Sequence, residues 1–220
     1  MPKTPVNSSE ESQRDQAYRG LHRLLILQQI EAGQRLREPE WAQRLGVHRS
    51  ALREAFVRLE AEGLVERGPQ TGYFVPVLSE DDLVEINKLR VALECLAIDE
   101  ICAKPNELGA TLGALGRACD EFEGFLRGGY WLGVIEADRR FHEVLISAPG
   151  LRRLADLYRR APLPMIHGAT EDRPAWESAC TRTLAEHRRI VAALAARDGG
   201  AAKSVLREHL ANRPMLPICR

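Results

Sequence analysis

The chain has 220 residues, of which 28% are charged and 45% hydrophobic, which is the composition of a globular protein of one large or two small domains. No apolar stretch approaches the ~18 residues that span a bilayer, and the polar start lacks the apolar segment of a secretory signal, so we expect a cytoplasmic protein. The 31 basic and 31 acidic residues balance, which at face value argues against a nucleic-acid binder, because such domains usually carry an excess of basic residues. Five cysteines without a C-x-x-C pair fit reduced thiols.

The first third of the chain predicts three helices. Residues 1–14 are polar and are predicted to be disordered. Apolar residues then recur at helical spacing from Gln16 to Ile30, and Gly33 supplies a stop signal. A short second helix is predicted over Glu38–Leu45, and after a tight turn a third helix is predicted over Arg49–Glu62.

The segment after the third helix changes its period. Leu64–Arg67 and Tyr73–Val77 are short segments rich in β-forming residues. They are separated by Gly68–Gly72, which predicts a hairpin with a flexible tip. Three helices followed by a two-stranded ribbon is the order of a winged helix-turn-helix. We therefore predict that residues 15–78 are a DNA-binding domain.

The remainder of the chain shows only helical periodicity. Ser79, followed by three acidic residues, predicts an N-cap. Helices are predicted near residues 80–103, 106–127, 130–147, 150–160, 176–197 and 199–212. The predicted fold class is mainly α: an N-terminal winged helix-turn-helix followed by an all-α helical bundle over residues 79–220.

The third predicted helix has the residues of a DNA-reading helix. In a helix-turn-helix the second helix lies in the major groove, so its exposed side needs long hydrogen-bond donors. Arg49 and Arg53 share a face, while His48 and Ser50 stand at the end that points into the groove. Residues 44–58 contain four arginines and one acid. A solvated arginine face would give the same pattern, but the turn before it and the ribbon after it favour DNA reading.

A second constellation, in the helical bundle, has the residue types of a metal site. Asp138 and His142 are four residues apart, which places them on one face of a helix. His187 and His209 lie on two later predicted helices beside apolar residues. One carboxylate and three imidazoles suit Zn²⁺, Ni²⁺ or Mn²⁺. A simple hydrogen bond between Asp138 and His142 is the alternative interpretation of the first pair.

The stretch LREPEWAQRLGVHRSALREAFVRLEAEGLVERGPQTGYFVPVLS resembles the N-terminal domain of GntR-type transcriptional regulators. The helical remainder resembles the FCD effector domain of their FadR subgroup, and the similarity runs from about residue 16 to residue 212. The resemblance implies operator contacts from the third helix and from the tip of the wing. The implied positions are His48, Arg49, Ser50, Arg53, Gln70, Thr71 and Gly72, with a phosphate contact from Arg37.

Three positions depart from the pattern of these regulators. His48 replaces the usual Ser or Thr, Ala51 replaces a common Pro, and Thr71 stands where an Arg is frequent. The operator sequence therefore cannot be borrowed from relatives.

The resemblance also strengthens the metal hypothesis. FCD domains of the metal-binding type carry D-x-x-x-H on one helix and a histidine on each of the last two helices, and all four positions match here. Arg90 matches an arginine that reaches the effector pocket in relatives, although an ion pair with Glu94 one turn later explains it equally well. Arg139, next to Asp138, is a second candidate for binding the effector.

These features predict a homodimeric regulator, expected to be a repressor, that binds a palindromic DNA operator, a divalent metal ion and a small organic acid effector. One alternative is a metal-dependent enzyme of the hydrolase or oxygenase type. Against it, Glu143 and Glu186, which adjoin the ligands, point about 100° away around their helices, so we find no general base. A regulator with a purely structural metal is the other alternative.

Overall fold

The computed structural model describes residues 8–26, 29–68, 72–159 and 173–211. The chain divides into two compact units, Met1–Val77 and Leu78–Arg220. None of the helices in these described ranges combines the length and the apolar character that a membrane span requires.

The described part of the first unit has the predicted helices and ribbon, with one further strand. Its elements are α1 (Ser8–Ile26), β1 (Arg35–Leu36), α2 (Glu38–Leu45), α3 (Arg49–Ala61), β2 (Glu66–Arg67) and β3 (Tyr73–Phe74). Buried residues of α1, α2 and α3 form one apolar core with the sheet. The ring of Phe56 on α3 stacks on Tyr73 of β3 at a centroid distance of 4.6 Å, so the ribbon is attached to the third helix.

The turn between α2 and α3 is fixed by a glycine. Gly46 has a φ of 66°, a left-handed conformation that costs glycine little because it has no Cβ atom. The next residue, Val47, donates its backbone N–H to the carbonyl of Ala42 at 3.0 Å. The chain therefore reverses within three residues and begins α3 at Arg49.

The sheet has the order β1-β3-β2, and both pairs are antiparallel. Arg35 of β1 and Glu66 of β2 lie on opposite sides of Phe74 in the central strand. The β2–β3 hairpin agrees with the sequence prediction. Strand β1 was not predicted, because two residues are too few to show the alternation that marks a strand.

The prediction that residues 1–14 are disordered is wrong for residues 8–14, because α1 already begins at Ser8. The added turns are polar in sequence, so apolar periodicity cannot reveal them.

The described part of the second unit is entirely helical. Its elements are α4 (Glu80–Ala103), α5 (Leu108–Arg127), α6 (Trp131–Ser147), α7 (Arg152–Arg159), α8 (Arg173–Ala195) and α9 (Gly199–Ala211). Helix α4 begins at the predicted cap, where the Ser79 hydroxyl accepts from the Asp82 N–H and the Asp82 carboxylate accepts from the Ser79 N–H. This observed fold confirms the predicted class.

One apolar core joins α4, α5, α6, α8 and α9. Helix α5 packs on α6 and α8, and α9 packs on α4 and α8. The short helix α7 covers α4 and α6 through a smaller cluster that includes Leu154 and Tyr158. Buried polar side chains from α4, α6, α8 and α9 lie within this apolar surrounding, and they form the candidate site.

Two glycines of the helical unit should respond in opposite directions to replacement by alanine. Gly150, after α6, has a φ of 72°, and a Cβ atom there would meet nothing within 4 Å. Gly150→Ala should therefore lower the free energy of unfolding by about 1–2 kcal/mol, because it strains the backbone without causing a clash. Gly124, inside α5, also has open space around it, so Gly124→Ala should raise that free energy by about 0.5–1 kcal/mol. Urea unfolding followed by circular dichroism measures both; shifts of the same sign would contradict the conformational explanation.

Candidate metal centre and nucleic-acid interface

Four side chains with metal-ligating atoms meet in the interior of the helical unit. Asp138 and His142 lie one turn apart on α6, His187 lies on α8 and His209 on α9. All four are buried, and their ligating atoms lie within 4.8 Å of one another. The structure thus brings together the four residues that the sequence singled out.

The separations within this group suit binding to a single ion. His142 Nε2 lies 3.1 Å from His209 Nε2. Asp138 Oδ1 lies 3.5 Å from His187 Nε2 and 3.9 Å from His142 Nε2. Atoms bound to one metal ion at about 2.0–2.2 Å lie about 3–4 Å apart. The four residues therefore need little rearrangement to share an ion.

Aromatic packing fixes the plane of one ligand ring. The ring of Phe141 is stacked on His187 with 3.8 Å between centroids and 6° between planes. Phe122 meets the same imidazole edge-on at 6.0 Å. These contacts restrict the rotation of His187, so its ring is oriented by α5 and α6 before any ligand binds.

Two buried carboxylates stand behind the ligand histidines. Glu94 Oε2 lies 2.7 Å from His142 Nδ1, and Glu186 Oε2 lies 2.8 Å from His209 Nδ1. An ionised carboxylate can only accept a hydrogen bond, so these contacts favour the tautomer with the proton on Nδ1 of each imidazole. In that tautomer the Nε2 lone pairs of His142 and His209 face each other at 3.1 Å. A metal ion bound by both nitrogens would remove the repulsion between these lone pairs.

Arg90 and Glu94 on α4 form the ion pair that the sequence offered as one of two interpretations. Arg90 Nη2 lies 3.0 Å from Glu94 Oε1, and both side chains are fully buried. The Tyr158 hydroxyl of α7 donates to the same Glu94 oxygen at 2.9 Å, and Arg90 Nε donates to Tyr158 at 3.4 Å. Arg90 Nη1 is buried and has no hydrogen-bond partner among the described residues. The ion pair therefore leaves part of the guanidinium available to a ligand.

The surroundings of Glu94 and His142 determine their protonation. Burial alone would raise the pKa of the Glu94 carboxyl, but the neighbouring His142 and Arg90 outweigh it and lower that pKa to about 2. Burial lowers the pKa of His142 by more than Glu94 raises it. The pair at neutral pH is therefore a carboxylate that accepts a hydrogen bond from a neutral imidazole, which is the form of histidine that binds metals.

Three features of this network were not predicted from the sequence. They are the contact between Glu94 and His142, the participation of Glu186 and the participation of Tyr158. Glu186 was expected to point away from the ligands. This expectation is valid only relative to His187, its neighbour on the same helix. Its carboxylate reaches His209 on the neighbouring helix α9. Helical periodicity gives the direction of a side chain on its own helix and not the contacts it makes on another, so the sequence carried no signal for these pairs.

Arg139 does not join the buried group. Its side chain is partly exposed on α6 and forms ion pairs with Glu136, at 2.9 Å, and with Glu143. The next residue, Arg140, pairs with Glu121 of α5 at 3.1 Å. Of the two arginines predicted to bind the effector, the structure places only Arg90 beside the four candidate ligands.

Helix α3 of the first unit has the two faces expected of a DNA-reading helix. Leu52, Phe56 and Leu59 are buried, whereas the predicted base-reading residues are exposed. These are His48, Arg49, Ser50 and Arg53. The helix is therefore packed on one side and presents its donors to solvent on the other.

Acidic residues partner several arginines near this face. Arg53 Nε lies 2.7 Å from Glu38 Oε2, and Arg37, at the N-cap of α2, lies 3.3 Å from Glu40. Arg49 makes no ion pair or hydrogen bond within the described part of the chain. These exposed pairs are worth about 0–1 kcal/mol each, so the arginines can exchange them for contacts with DNA.

The wing is described only at its base. Gly68 donates its N–H to the Gly72 carbonyl at 3.3 Å, which closes the hairpin. Gly72 has a φ of 130°, a conformation that favours glycine. Gln70 and Thr71, the other predicted wing residues, lie outside the described residues.

Both parts of the chain match known protein families. Residues 85–212, more than half of the chain, match the FCD domain, and residues 13–75 match the bacterial regulatory proteins of the gntR family. The chain therefore belongs to the GntR family of transcriptional regulators, in the group that carries an FCD domain. FCD domains are known for metal binding, and the buried Asp/His group lies within this match.

Individual relatives are regulators of the same kind. The chain is 28% identical over 195 residues to the uncharacterized HTH-type transcriptional regulator YdhC of Bacillus subtilis, covering 88% of this chain and 86% of YdhC. It is 27% identical to the HTH-type transcriptional repressor RspR of Escherichia coli, covering 95% and 87%. The solved structure of E. coli McbR/YncC matches with a TM-score of 0.68 at 20% identity, covering 90% of this chain and 93% of that one, which shows a shared fold.

These findings define the protein as a DNA-binding transcriptional regulator. The families and relatives that match it are regulators and not enzymes, as the sequence predicted. The enzyme alternative is therefore set aside.

Proposed function

We propose that this protein is a ligand-responsive transcriptional repressor that acts in the bacterial cytoplasm as a homodimer. Residues 15–78 bind the operator, and residues 79–220 bind the effector and form the dimer. The observation that carries this proposal is the buried group of Asp138, His142, His187 and His209. A buried carboxylate such as Asp138 is commonly paired or bound to a metal ion, and an ion with open coordination positions gives a regulator a site for its effector.

The charges around the four ligands support a divalent metal ion. Among the described residues of the helical unit, the buried charged side chains are three carboxylates, Glu94, Asp138 and Glu186, and one guanidinium, Arg90. Two negative charges remain when the histidines are neutral. A divalent cation would balance them, and Zn²⁺, Ni²⁺ and Mn²⁺ all accept this set of nitrogen and oxygen ligands.

The effector that fits this site is a small organic acid. Four protein ligands leave one or two positions on an ion that binds five or six, and a carboxylate or hydroxy-acid oxygen suits them. The buried Arg90 Nη1 has no hydrogen-bond partner among the described residues and offers a charged donor to the same anion. Arg139, which is held by Glu136 and Glu143, is not included in this proposal.

DNA binding is assigned to α3 and the elements beside it. Arg49 and Arg53 read base edges in the major groove, with His48 and Ser50 at the start of the helix. The remaining assigned contacts are Arg37 to a phosphate and Gln70, Thr71 and Gly72 from the wing. A palindromic operator fits a two-fold symmetric dimer, and the exposed Leu89, Leu96 and Leu157 of the helical unit support such an association.

The proposed mode of action is repression that the effector relieves. RspR, a relative that covers most of this chain, is described as a repressor. An effector changes DNA binding only if it binds the DNA-competent and DNA-incompetent arrangements of the protein with different affinities. We infer that the organic acid favours the incompetent arrangement and lowers operator affinity.

The recognition helix can be tested with single substitutions. Arg49→Ala and Arg53→Ala should each weaken binding to an operator by about 5–150-fold, because a bidentate arginine–base contact is worth about 1–3 kcal/mol. The operator is first selected from random duplexes with the full-length protein, and affinity is then measured by fluorescence anisotropy. Arg117→Ala, an exposed arginine on α5, is the control for loss of charge and should leave affinity unchanged. Unchanged affinity in both α3 variants would refute the assignment.

Metal binding can be tested by elemental analysis. Protein purified without chelators should carry about one divalent ion per chain, and His187→Ala or His209→Ala should lose most of it because each removes a ligand. His48→Ala, which changes an exposed histidine of the other unit, should keep the ion. Wild-type protein that contains no metal and takes up none when Zn²⁺, Ni²⁺ or Mn²⁺ is added would contradict the site.

The effector site can be tested by thermal shift. A panel of small mono-, di- and hydroxycarboxylic acids is screened against metal-loaded and metal-stripped protein. An acid that binds the native state and is present at about 100 times its Kd stabilises that state by about 2.7 kcal/mol. The shift should require metal, should weaken in Arg90→Met and should persist in Arg140→Ala, each compared with its own ligand-free protein. Metal that raises Tm while no acid adds to it would indicate a structural ion and overturn the effector assignment.

A further inference from the structure

The two carboxylates behind the ligand histidines have a role that the four-ligand description leaves out. We propose that Glu94 and Glu186 are positioning residues of the metal site: each accepts the Nδ1–H of one ligand histidine and thereby directs its Nε2 lone pair toward the ion. This inference rests on the proposed metal binding. It concerns two side chains that are not themselves ligands.

The same arrangement occurs twice, on different pairs of helices. Glu94 of α4 contacts His142 of α6 at 2.7 Å, and Glu186 of α8 contacts His209 of α9 at 2.8 Å. All four side chains are buried. In both pairs the carboxylate meets Nδ1, so the two Nε2 atoms point into the ligand group and approach each other to 3.1 Å. Two independent pairs with the same geometry indicate a common purpose.

The chemistry of imidazole explains why a carboxylate is suited to this place. A neutral histidine carries its proton on either nitrogen, and a proton on Nε2 would occupy the lone pair that the metal needs. An ionised carboxylate can only accept a hydrogen bond, so it favours the tautomer with the proton on Nδ1. Its negative charge also strengthens the imidazole as a ligand.

Glu94 is held more firmly than a single hydrogen bond would hold it. Its Oε1 atom accepts from the Tyr158 hydroxyl at 2.9 Å and lies 3.0 Å from Arg90 Nη2, while its Oε2 atom faces His142. Partners on α4, α6 and α7 thus orient one carboxylate group. His142 is therefore fixed by a network rather than by its own rotamer.

The test measures the dissociation constant of Co²⁺ with metal-stripped, full-length protein. Glu186→Gln and Glu94→Gln should each weaken Co²⁺ binding by about 10–100-fold while one ion per chain still binds at saturation. Because Glu94→Gln leaves Arg90 buried without its charge partner, the double variant Arg90→Met/Glu94→Gln is included. Glu186→Gln, which involves no buried arginine, keeps the proposal testable if the Glu94 variants do not fold.

Two neighbouring glutamates provide matched controls. Glu143 follows His142 in sequence and pairs with Arg139, and Glu208 precedes His209 and pairs with Arg189 at 3.4 Å. Both are on the solvent side of their helices. Glu143→Gln and Glu208→Gln should keep the Co²⁺ dissociation constant within about twofold of wild type, since neither touches a ligand nitrogen.

A second readout separates positioning from a merely structural role. Nitrogen-15 chemical shifts of the histidine rings in metal-free protein should show protons on Nδ1 of His142 and His209. In Glu186→Gln the ring of His209 should populate the Nε2–H tautomer, and the Co²⁺ absorption spectrum should change. A variant with lower Tm but unaltered tautomer and unaltered Co²⁺ affinity would overturn the proposal.

Failure of the positioning role can be distinguished from failure of metal binding. If wild type binds Co²⁺ and His187→Ala does not, the metal site stands, and unchanged affinity in Glu186→Gln and in the folded Glu94 variants then refutes the positioning role alone. If wild type binds no Co²⁺, the proposed metal function and the inference that rests on it both fall.

Discussion

The balance of charge inside the helical unit is the constraint on which the rest of that unit depends. Among the described residues of this unit, three buried carboxylates and one buried guanidinium lie beside three buried histidines in a mainly apolar interior, and buried charge is costly unless it is compensated. The side chains concerned belong to α4, α6 and α8, with His209 of α9 completing the group. A bound divalent ion would neutralise this interior and would join three helices, α6, α8 and α9, so the proposed ion would be a part of the core as well as a site for the proposed effector.

The DNA-binding unit differs from the helical unit in the location of its charged side chains. Most of its described arginines are exposed, and several of them, including Arg37 and Arg53, are paired with acidic residues on the same surface. Exposed pairs contribute little to stability, but they reduce the positive potential that would attract any DNA. The zero net charge of the chain is therefore compatible with DNA binding. It favours a protein that depends on base contacts rather than on a broad cationic surface.

The sequence predicted local structure well and contacts between helices poorly. The bounds of α2 and the start of α4 follow from signals within a few residues, namely Gly46 and Ser79 with Asp82. Four metal-ligand candidates could be recognised because their positions match those of metal-binding FCD domains, whereas the spacing of Asp138 and His142 alone also fits a simple hydrogen bond. The pairing of Glu94 with His142 joins residues 48 positions apart, and periodicity carries no information on which helices become neighbours. Strand β1 was missed for a related reason, because it exists only through its pairing with β3.

The position of Glu94 suggests how occupancy of the buried group reaches the rest of the chain. Helix α4 begins at Glu80, directly after the segment that ends the DNA-binding unit, and it carries both Arg90 and Glu94. Through Glu94 this helix holds His142, and in the proposed function its Arg90 would donate to an organic acid. An ion and an acid bound together would therefore act on the same helix from two points. The proposed effector would change DNA affinity only if it bound two arrangements of the protein unequally.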